Sequence, residues 1–298
     1  MREQRYAAFG MDIWSPLPLP LPLADGGASS PWRLDIVEAA LPATLPLSRS
    51  LGDIRYGRFL NALYFDVPGV ARYAIESGGR IAVESAPGAA GSAAGIYIAG
   101  LLLPILLSRR NILTLHGSAV VGKSGCLVFL GDRGAGKSTT AAAMASFGYA
   151  MLCDDVVPIT ADSLVMPGIP LPKLLPDAYK RLIGDPAAAA QCFDGVDKYH
   201  APLPRSAISA PVRFLFVIEP CETPALSMEL VKGARKLRIL LSNVTSLEGL
   251  DDPESLFSRC FERLGPIPCY RLRRPASADC LDELARTIAE LDRGVGAR

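Results

Sequence analysis

The feature that most constrains this chain is "FLGDRGAGKSTT", Phe129 to Thr140, which holds the spacing G-x-x-x-x-G-K-[ST] over Gly131–Ser138. In that pattern glycines let backbone N–H groups turn inward around phosphates, a lysine reaches the terminal phosphates and a hydroxyl meets the accompanying magnesium. It requires a buried strand before the loop and a helix after it, whose first-turn N–H groups and dipole favour an anion. A second segment, "GSAVVGKS" (Gly117–Ser124), fits the same expression. Context separates the two. The apolar run "CLVFL" precedes Gly131, and the alanine-rich, proline-free "STTAAAMASFG" follows it, closed by Gly148 as a natural C′ residue. The earlier copy passes from the strand-like "ILTLHGSAVV" through "GKSG" into that same apolar run, which reads as a hairpin turn.

A chain of 298 residues, half of them apolar, can bury a substantial core. Its net charge of +1 gives no electrostatic reason to expect nucleic acid or an anionic membrane as partner. Seven cysteines without a C-x-x-C pair fit reduced structural thiols better than a disulfide framework or a zinc site. The N-terminus lacks the apolar stretch of a signal peptide. The longest apolar run, Gly95–Ser108, is short for a bilayer and contains Pro104, so it reads as a buried helix. The expectation is a soluble cytoplasmic protein with neither nucleic acid nor membrane as partner; oligomeric state stays open, a homo-oligomer included.

The pattern predicts two domains. Residues 1–95 form a smaller β-rich N-terminal domain, from near-alternating runs such as "WRLDIVEA", "ALYFDV" and "ARYAIESGGRIAVES", the last with Gly78-Gly79 as its turn. "SPLPLPLPLADGG" cannot be helical and should be extended; its leucines suit packing, its prolines a proline-recognising module. "SAPGAAGSAAG" (Ser85–Gly95) reads as the linker. Residues 96–298 then alternate strand, loop and helix around the phosphate loop, which argues for α/β layering. Near the end, Asp252, Pro253 and Gly265 bracket a helix with Leu256, Phe257, Cys260, Phe261 and Leu264 on one core face. "IPCYRL" is a strand and "SADCLDELARTIAELD" a final amphipathic helix.

The candidate nucleotide-binding residues are Gly131, Asp132, Arg133, Gly134, Ala135, Gly136, Lys137, Ser138 and Thr139, with Arg133 facing solvent. Lys137 should reach the β- and γ-phosphates of ATP, and Ser138 should bind Mg2+. The predicted strand Tyr149–Asp155 ends in the adjacent carboxylates Asp154 and Asp155. Successive residues of a strand point to opposite faces, so one can hold metal while the other faces the acceptor, or one merely caps a turn. His116 should sit on the strand pairing with the one that enters the loop, either orienting a carboxylate or as a structural histidine. "DGVDKYHAPLP" (Asp194–Pro204) reads as a polar loop able to close over phosphates. Its Lys198 is a candidate for transition-state charge or a solvated lysine, Lys173 is a comparable candidate, and His200 and Arg205 rank below them.

The block "LHGSAVVGKSGCLVFLGDRGAGKSTTAAAMASFGYAMLCDDVVPI" (Leu115–Ile159) resembles the catalytic core of the HPr kinase/phosphorylase family: a histidine, the phosphate loop, then paired aspartates. Weaker similarity in "YAAFGMDIWSPLPLP", "PGIPLPKLLPDAYKRLIG" and "PIPCYRLRRP" extends it toward the HPr-kinase-like serine kinases of lasso-peptide biosynthesis. The resemblance implies an α/β fold with a P-loop (HPr-kinase-like) core. It implies an ATP-dependent serine kinase whose acceptor is the C-terminal serine of a precursor peptide. It implies Lys137 and Ser138 on phosphate and magnesium, Asp154 assisting the metal, Asp155 as the base and His116 beside it. The family's downstream glutamate–arginine–glycine motif and glycine-rich signature are missing, which puts a second metal carboxylate, hexamers and reverse phosphorolysis in doubt. A nucleotide switch or ATPase with water as acceptor is the alternative, although the chain has no N-K-x-D. A peptide-binding protein with a vestigial nucleotide site is a third reading, against which the intact Lys137, Ser138, Asp154 and Asp155 weigh.

Overall fold

The computed structural model describes residues 3–24, 26, 30–189, 191–193, 196–222, 225–276 and 280–295. It is a mixed α/β protein with several sheets, and the chain divides into two compact units: Met1–Arg110 with Ser246–Asp252, and Asn111–Thr245 with Pro253–Arg298.

The first unit carries β1 (Gln4–Ala8), β2 (Met11–Ser15), β3 (Trp32–Glu38), β4 (Arg49–Leu51), β5 (Ile54–Phe59), β6 (Ala62–Val67), β7 (Ala71–Glu76) and β8 (Arg80–Ser85). They form one sheet in the order β1-β2-β3-β8-β7-β6-β5-β4. Alternation explains it: Leu63, Phe65 and Val67 of β6 and Tyr73 and Ile75 of β7 are buried, with more exposed neighbours between those of β6. In the proline-rich segment Leu17, Leu19 and Leu21 are buried while Pro18 is exposed. The Leu19 N–H donates to Tyr6 Oη at 3.1 Å, and the Ala7 N–H donates to Pro22 O at 3.0 Å. The leucines therefore pack, as an extended strap.

The expected boundary at residue 95 is corrected. The small-residue stretch opens a helix instead of a linker: α1 (Gly91–Tyr97), a π-helical turn (Ile98–Leu102) and α2 (Leu103–Arg109) run on continuously, and the division falls after Arg110. Proline lacks an N–H and its ring crowds the carbonyl four residues back. The wider π turn just before Pro104 relieves that clash, so the helix survives it. A Cβ on Gly95 would lie 2.2 Å from Pro18 O, so glycine here permits the strap to lie on the helix. The run Gly91–Arg109 is longer than the span expected from sequence and is apolar enough to cross a bilayer by length and composition; 56% of its most apolar window is buried.

The second unit contains β9 (Leu113–His116), β10 (Ser118–Gly122), β11 (Gly125–Leu130), α3 (Lys137–Ala143), β12 (Ala150–Cys153), β13 (Val156–Ile159), β14 (Leu164–Val165), β15 (Lys173–Leu174), α4 (Pro176–Leu182), β16 (Gln191–Phe193), β17 (Val196–His200), β18 (Ala210–Cys221), β19 (Ser227–Val231), α5 (Gly233–Ser242), α6 (Pro253–Leu264), β20 (Cys269–Pro275) and α7 (Leu281–Val295). The main sheet has the order β12-β10-β11-β18-β14-β13-β9, with β20 beside β18 and β19 beyond it. β11, β18 and β20 run parallel. Cys126, Val128 and Leu130 face a core containing Leu240, Cys260 and Leu264 of α5 and α6. Leu127 and Phe129 face another, with Ala141 of α3 and Leu284 and Ile288 of α7. Helices cover both faces of β11, which is why its sequence is apolar without alternation.

On α6 the predicted core face is corrected. Phe257 and Phe261 are exposed and stack on each other with centroids 6.4 Å apart. The buried stripe is Cys260, Arg263 and Leu264. The Arg263 guanidinium earns its buried place by donating to Ile159 O at 3.1 Å and to Asn111 Oδ1 at 2.8 Å, so the stripe rotates away from the phenylalanines. The segment expected as a polar loop from Asp194 is corrected too: Val196–His200 is a strand in a small sheet ordered β15-β17-β16, while residues 194–195 lie outside the described residues.

Candidate functional site

The glycine-rich loop leaves β11 at the carboxyl end of the parallel strands and enters α3 at Lys137. Gly131 has φ +135°, and a Cβ there would stand 2.5 Å from Ile218 O. Gly136 has φ +99°, and its Cβ would meet the Arg274 guanidinium at 2.7 Å. Gly131 therefore needs glycine on conformation and on space, and Gly136 on conformation, since its close neighbour is the flexible end of an arginine. Asp132, Arg133 and Gly134 are exposed, while Lys137 is buried. Lys137 Nζ curls back on its own loop, donating to Gly131 O at 2.8 Å and to Asp132 O at 2.9 Å. Burial pushes its pKa down, against the pull of Asp154 and Asp155. The helix tightens into a 3-10 turn over Met144–Phe147 and ends at Gly148 with φ +84°. The earlier copy of the pattern is a hairpin: Gly122 pairs with Gly125, and Lys123 and Ser124 are exposed at its tip.

Asp154 and Asp155 lie in a bend after β12, not on the strand. This corrects the argument from strand alternation; the backbone separates the two carboxylates instead. Asp154 is 3% exposed and accepts from Ser118 Oγ at 2.5 Å, from Ser138 Oγ at 2.9 and 3.1 Å, and from the Lys173 N–H at 3.3 Å. Burial and the neighbouring Asp155 charge push its pKa up to about 6, against the hydroxyl donors and Lys173. Asp155 has φ +64°, the left-handed region, which turns its side chain away from its neighbour's pocket. Its Oδ2 is 2.5 Å from Lys173 Nζ. Burial alone would raise its pKa, but Lys173, then His116 and Lys198, outweigh that and hold it below the ordinary value. Two adjacent acids are thus driven apart in proton affinity.

His116 is displaced from its predicted strand partner. It ends β9 and lies opposite Val156 of β13, whereas the hairpin into the loop is β10 with β11. The result still brings it to the acids, with Nδ1 3.1 Å from Asp155 O. The surrounding protein, then the Lys137 ammonium, push its pKa down, while Asp155 opposes. Lys198 acts on Asp155 and Lys137 through its charge. Lys173 touches both acids.

Three further residues belong to the cluster. Asn243, after α5, accepts from the Gly131 N–H through Oδ1 at 3.1 Å, and its backbone O accepts from the His116 N–H at 2.7 Å. Arg274, ending β20, donates from Nε to Ala135 O at 3.1 Å. Ser118 holds Asp154 from within the hairpin copy of the pattern. An asparagine after an amphipathic helix reads as an ordinary end-cap, and an arginine ending a strand as solvated, so neither carried a signal.

Neither a scan of protein-family models nor a search of curated proteins finds a match to this chain. Among solved structures it is similar to the Hpr(Ser) kinase/phosphatase from Coxiella burnetii, at 15% identity and a TM-score of 0.27, over 62% of this chain and 99% of that one.

The donor chemistry fits a nucleotide phosphate with a hard divalent cation. The loop's positive-φ glycines and the buried ammonium of Lys137 suit phosphate oxygens. Ser138 Oγ and the Asp154 carboxylate, already within 2.9 Å of each other, are oxygen donors of the kind magnesium takes.

Proposed function

We propose that the chain is an ATP-dependent serine kinase, transferring the γ-phosphoryl group to a serine hydroxyl, with a lasso-peptide-type precursor, at its C-terminal serine, as acceptor. The observation that carries the reading is the pair of adjacent acids with opposite environments: Asp154 bonded to the first helical hydroxyl after the loop, Asp155 turned outward beside His116 and Lys173. A second, outward carboxylate kept ionised beside the phosphate loop suits the deprotonation of a hydroxyl acceptor. The acceptor's identity comes from the sequence resemblance alone.

Under this reading the loop N–H groups and Lys137 bind the phosphates, and Ser138 and Asp154 would hold magnesium. When bound, that ion supplies charge neutralisation between the phosphates. Lys137 gives up its two loop carbonyls for phosphate oxygens, a relief for an ammonium buried at the cost of hydration. Asp155, held ionised, takes the proton of the serine hydroxyl as the new O–P bond forms and the bond to ADP breaks. His116 fixes the Asp155 backbone through its carbonyl. Most of the catalysis is positioning and charge.

The test is transfer of labelled γ-phosphate from ATP to a candidate precursor peptide. Label is expected on serine, and Asp155→Asn should abolish transfer while ATP binding stays within about twofold. Equal phosphate release to water with and without peptide would sink the proposal in favour of an ATPase.

A further inference from the structure

Phosphoryl transfer gathers negative charge on the migrating group, and a site needs a cation beside it besides the one on the loop. We infer that Lys173 is that cation and that Lys198 is not, an inference that rests on the phosphotransfer reading of the same site. Lys173 contacts both acids at once: its backbone N–H bonds Asp154 Oδ2 at 3.3 Å and its ammonium bonds Asp155 Oδ2 at 2.5 Å.

Its position is fixed relative to the loop helix. The next residue, Leu174, is fully buried and packs with Ala142 of α3, so β15 moves with the element that begins at Lys137. Across the small sheet Lys173 is paired with His200. Lys198 lies two residues before His200 on β17, and no side chain of that strand bonds either acid among the described contacts. Its charge is felt at Asp155 after those of Lys173 and His116.

The chemistry follows from the distances. A base acts within about 2.6–3.2 Å of the hydroxyl it deprotonates, and the attacking oxygen starts about 3–3.5 Å from phosphorus. An ammonium already on the base therefore stands one neighbour away from the migrating phosphoryl oxygens. As the proton moves onto Asp155, the ammonium loses its counter-charge. At the same stage the transferred group gains negative charge, and the lysine, a compact point charge on a flexible stem, swings its attraction onto it. The proton ends on Asp155, the phosphorus–oxygen bond to ADP breaks, the bond to the serine oxygen forms, and no other reactant enters.

The experiment compares Lys173→Met, Lys173→Gln, Lys173→Arg and Lys198→Met for binding of magnesium–ADP with and without aluminium fluoride, a mimic of the migrating phosphoryl group. Both neutral Lys173 variants should bind ADP alone within about twofold of the parent and lose about 10²–10³-fold in affinity for ADP with aluminium fluoride. Lys173→Arg should recover part of it, and Lys198→Met should lose less than tenfold. Undiminished retention of the mimic by a folded Lys173→Met or Lys173→Gln protein overturns the inference, as does a larger loss at Lys198. Because the readout needs no acceptor, a parent protein that traps the mimic through Lys173 yet phosphorylates no serine would overturn the kinase reading and leave this assignment standing.

Discussion

Gly117–Ser124 and Gly131–Ser138 carry the same spacing of glycine, lysine and serine, yet one ends as the tip of a hairpin and the other as the turn between a buried strand and a helix. Lys123 and Ser124 are exposed. Lys137 is buried against two carbonyls and Ser138 against a carboxylate. The spacing puts a lysine and a hydroxyl side by side in both places; what the second place adds is a set of partners from elsewhere in the chain. Those partners are Asp154 from the bend after β12, Asn243 from the end of α5 and Arg274 from the end of β20. The hairpin copy even serves the real one, since its Ser118 holds Asp154.

The comparison breaks most sharply at the two lysines. Lys137→Met should lower phosphoryl transfer by about 10²–10³-fold, and Lys123→Met should change it less than twofold, both measured as initial rates at saturating peptide. Comparable losses from the two would mean that the hairpin copy also meets the nucleotide.

A smaller effect is expected from Asn243→Ala, which removes the acceptor for the buried Gly131 N–H. An orphaned buried donor costs about 1–3 kcal/mol, so the unfolding midpoint in denaturant should fall. Nucleotide affinity should fall with it, because the first loop residue loses its anchor. A lowered midpoint with unchanged affinity would confine Asn243 to the fold.

A stability effect of similar size runs in the opposite direction. Asp154, raised to about 6 against an unfolded value near 3.8, favours the protonated form in the fold. Its contribution to stability is complete below about pH 4 and is lost as pH rises through about 6. Asp154→Asn keeps the shape without the charge. Free of metal and nucleotide, that variant should match the parent near pH 4 and melt a few degrees higher at pH 7, on the order of 1–3 kcal/mol, while losing transfer. No gain at pH 7 would mean that the Ser118 and Ser138 hydroxyls fully repay the burial of the charge.

What could be read from sequence was local. The buried run of β11, the helix after it and the Gly148 stop follow from propensity and caps within a few residues of the loop. The Gly78-Gly79 turn and the Pro253 start of α6 are legible for the same reason. What escaped depends on pairing across long separations. His116 meets β13, some forty residues on, and not the strand next door. Lys173 reaches Asp155 from a two-residue strand too short to show a period. Phe257 and Phe261 follow helical spacing faithfully, but Arg263 finds two buried acceptors and takes the inner face. The pair of acids was legible, but their directions were not, because a bend and not a strand sets them.

That bend narrows the choice of residue at one position from two independent sides. Among ordinary side chains, asparagine and aspartate are enriched where φ is positive, and Asp155 sits at +64°. Glutamate would retain the acid while paying more for the backbone; asparagine would retain the backbone while giving up the acid. Aspartate satisfies both demands, so an engineer can separate conformation from chemistry here with a single pair of substitutions.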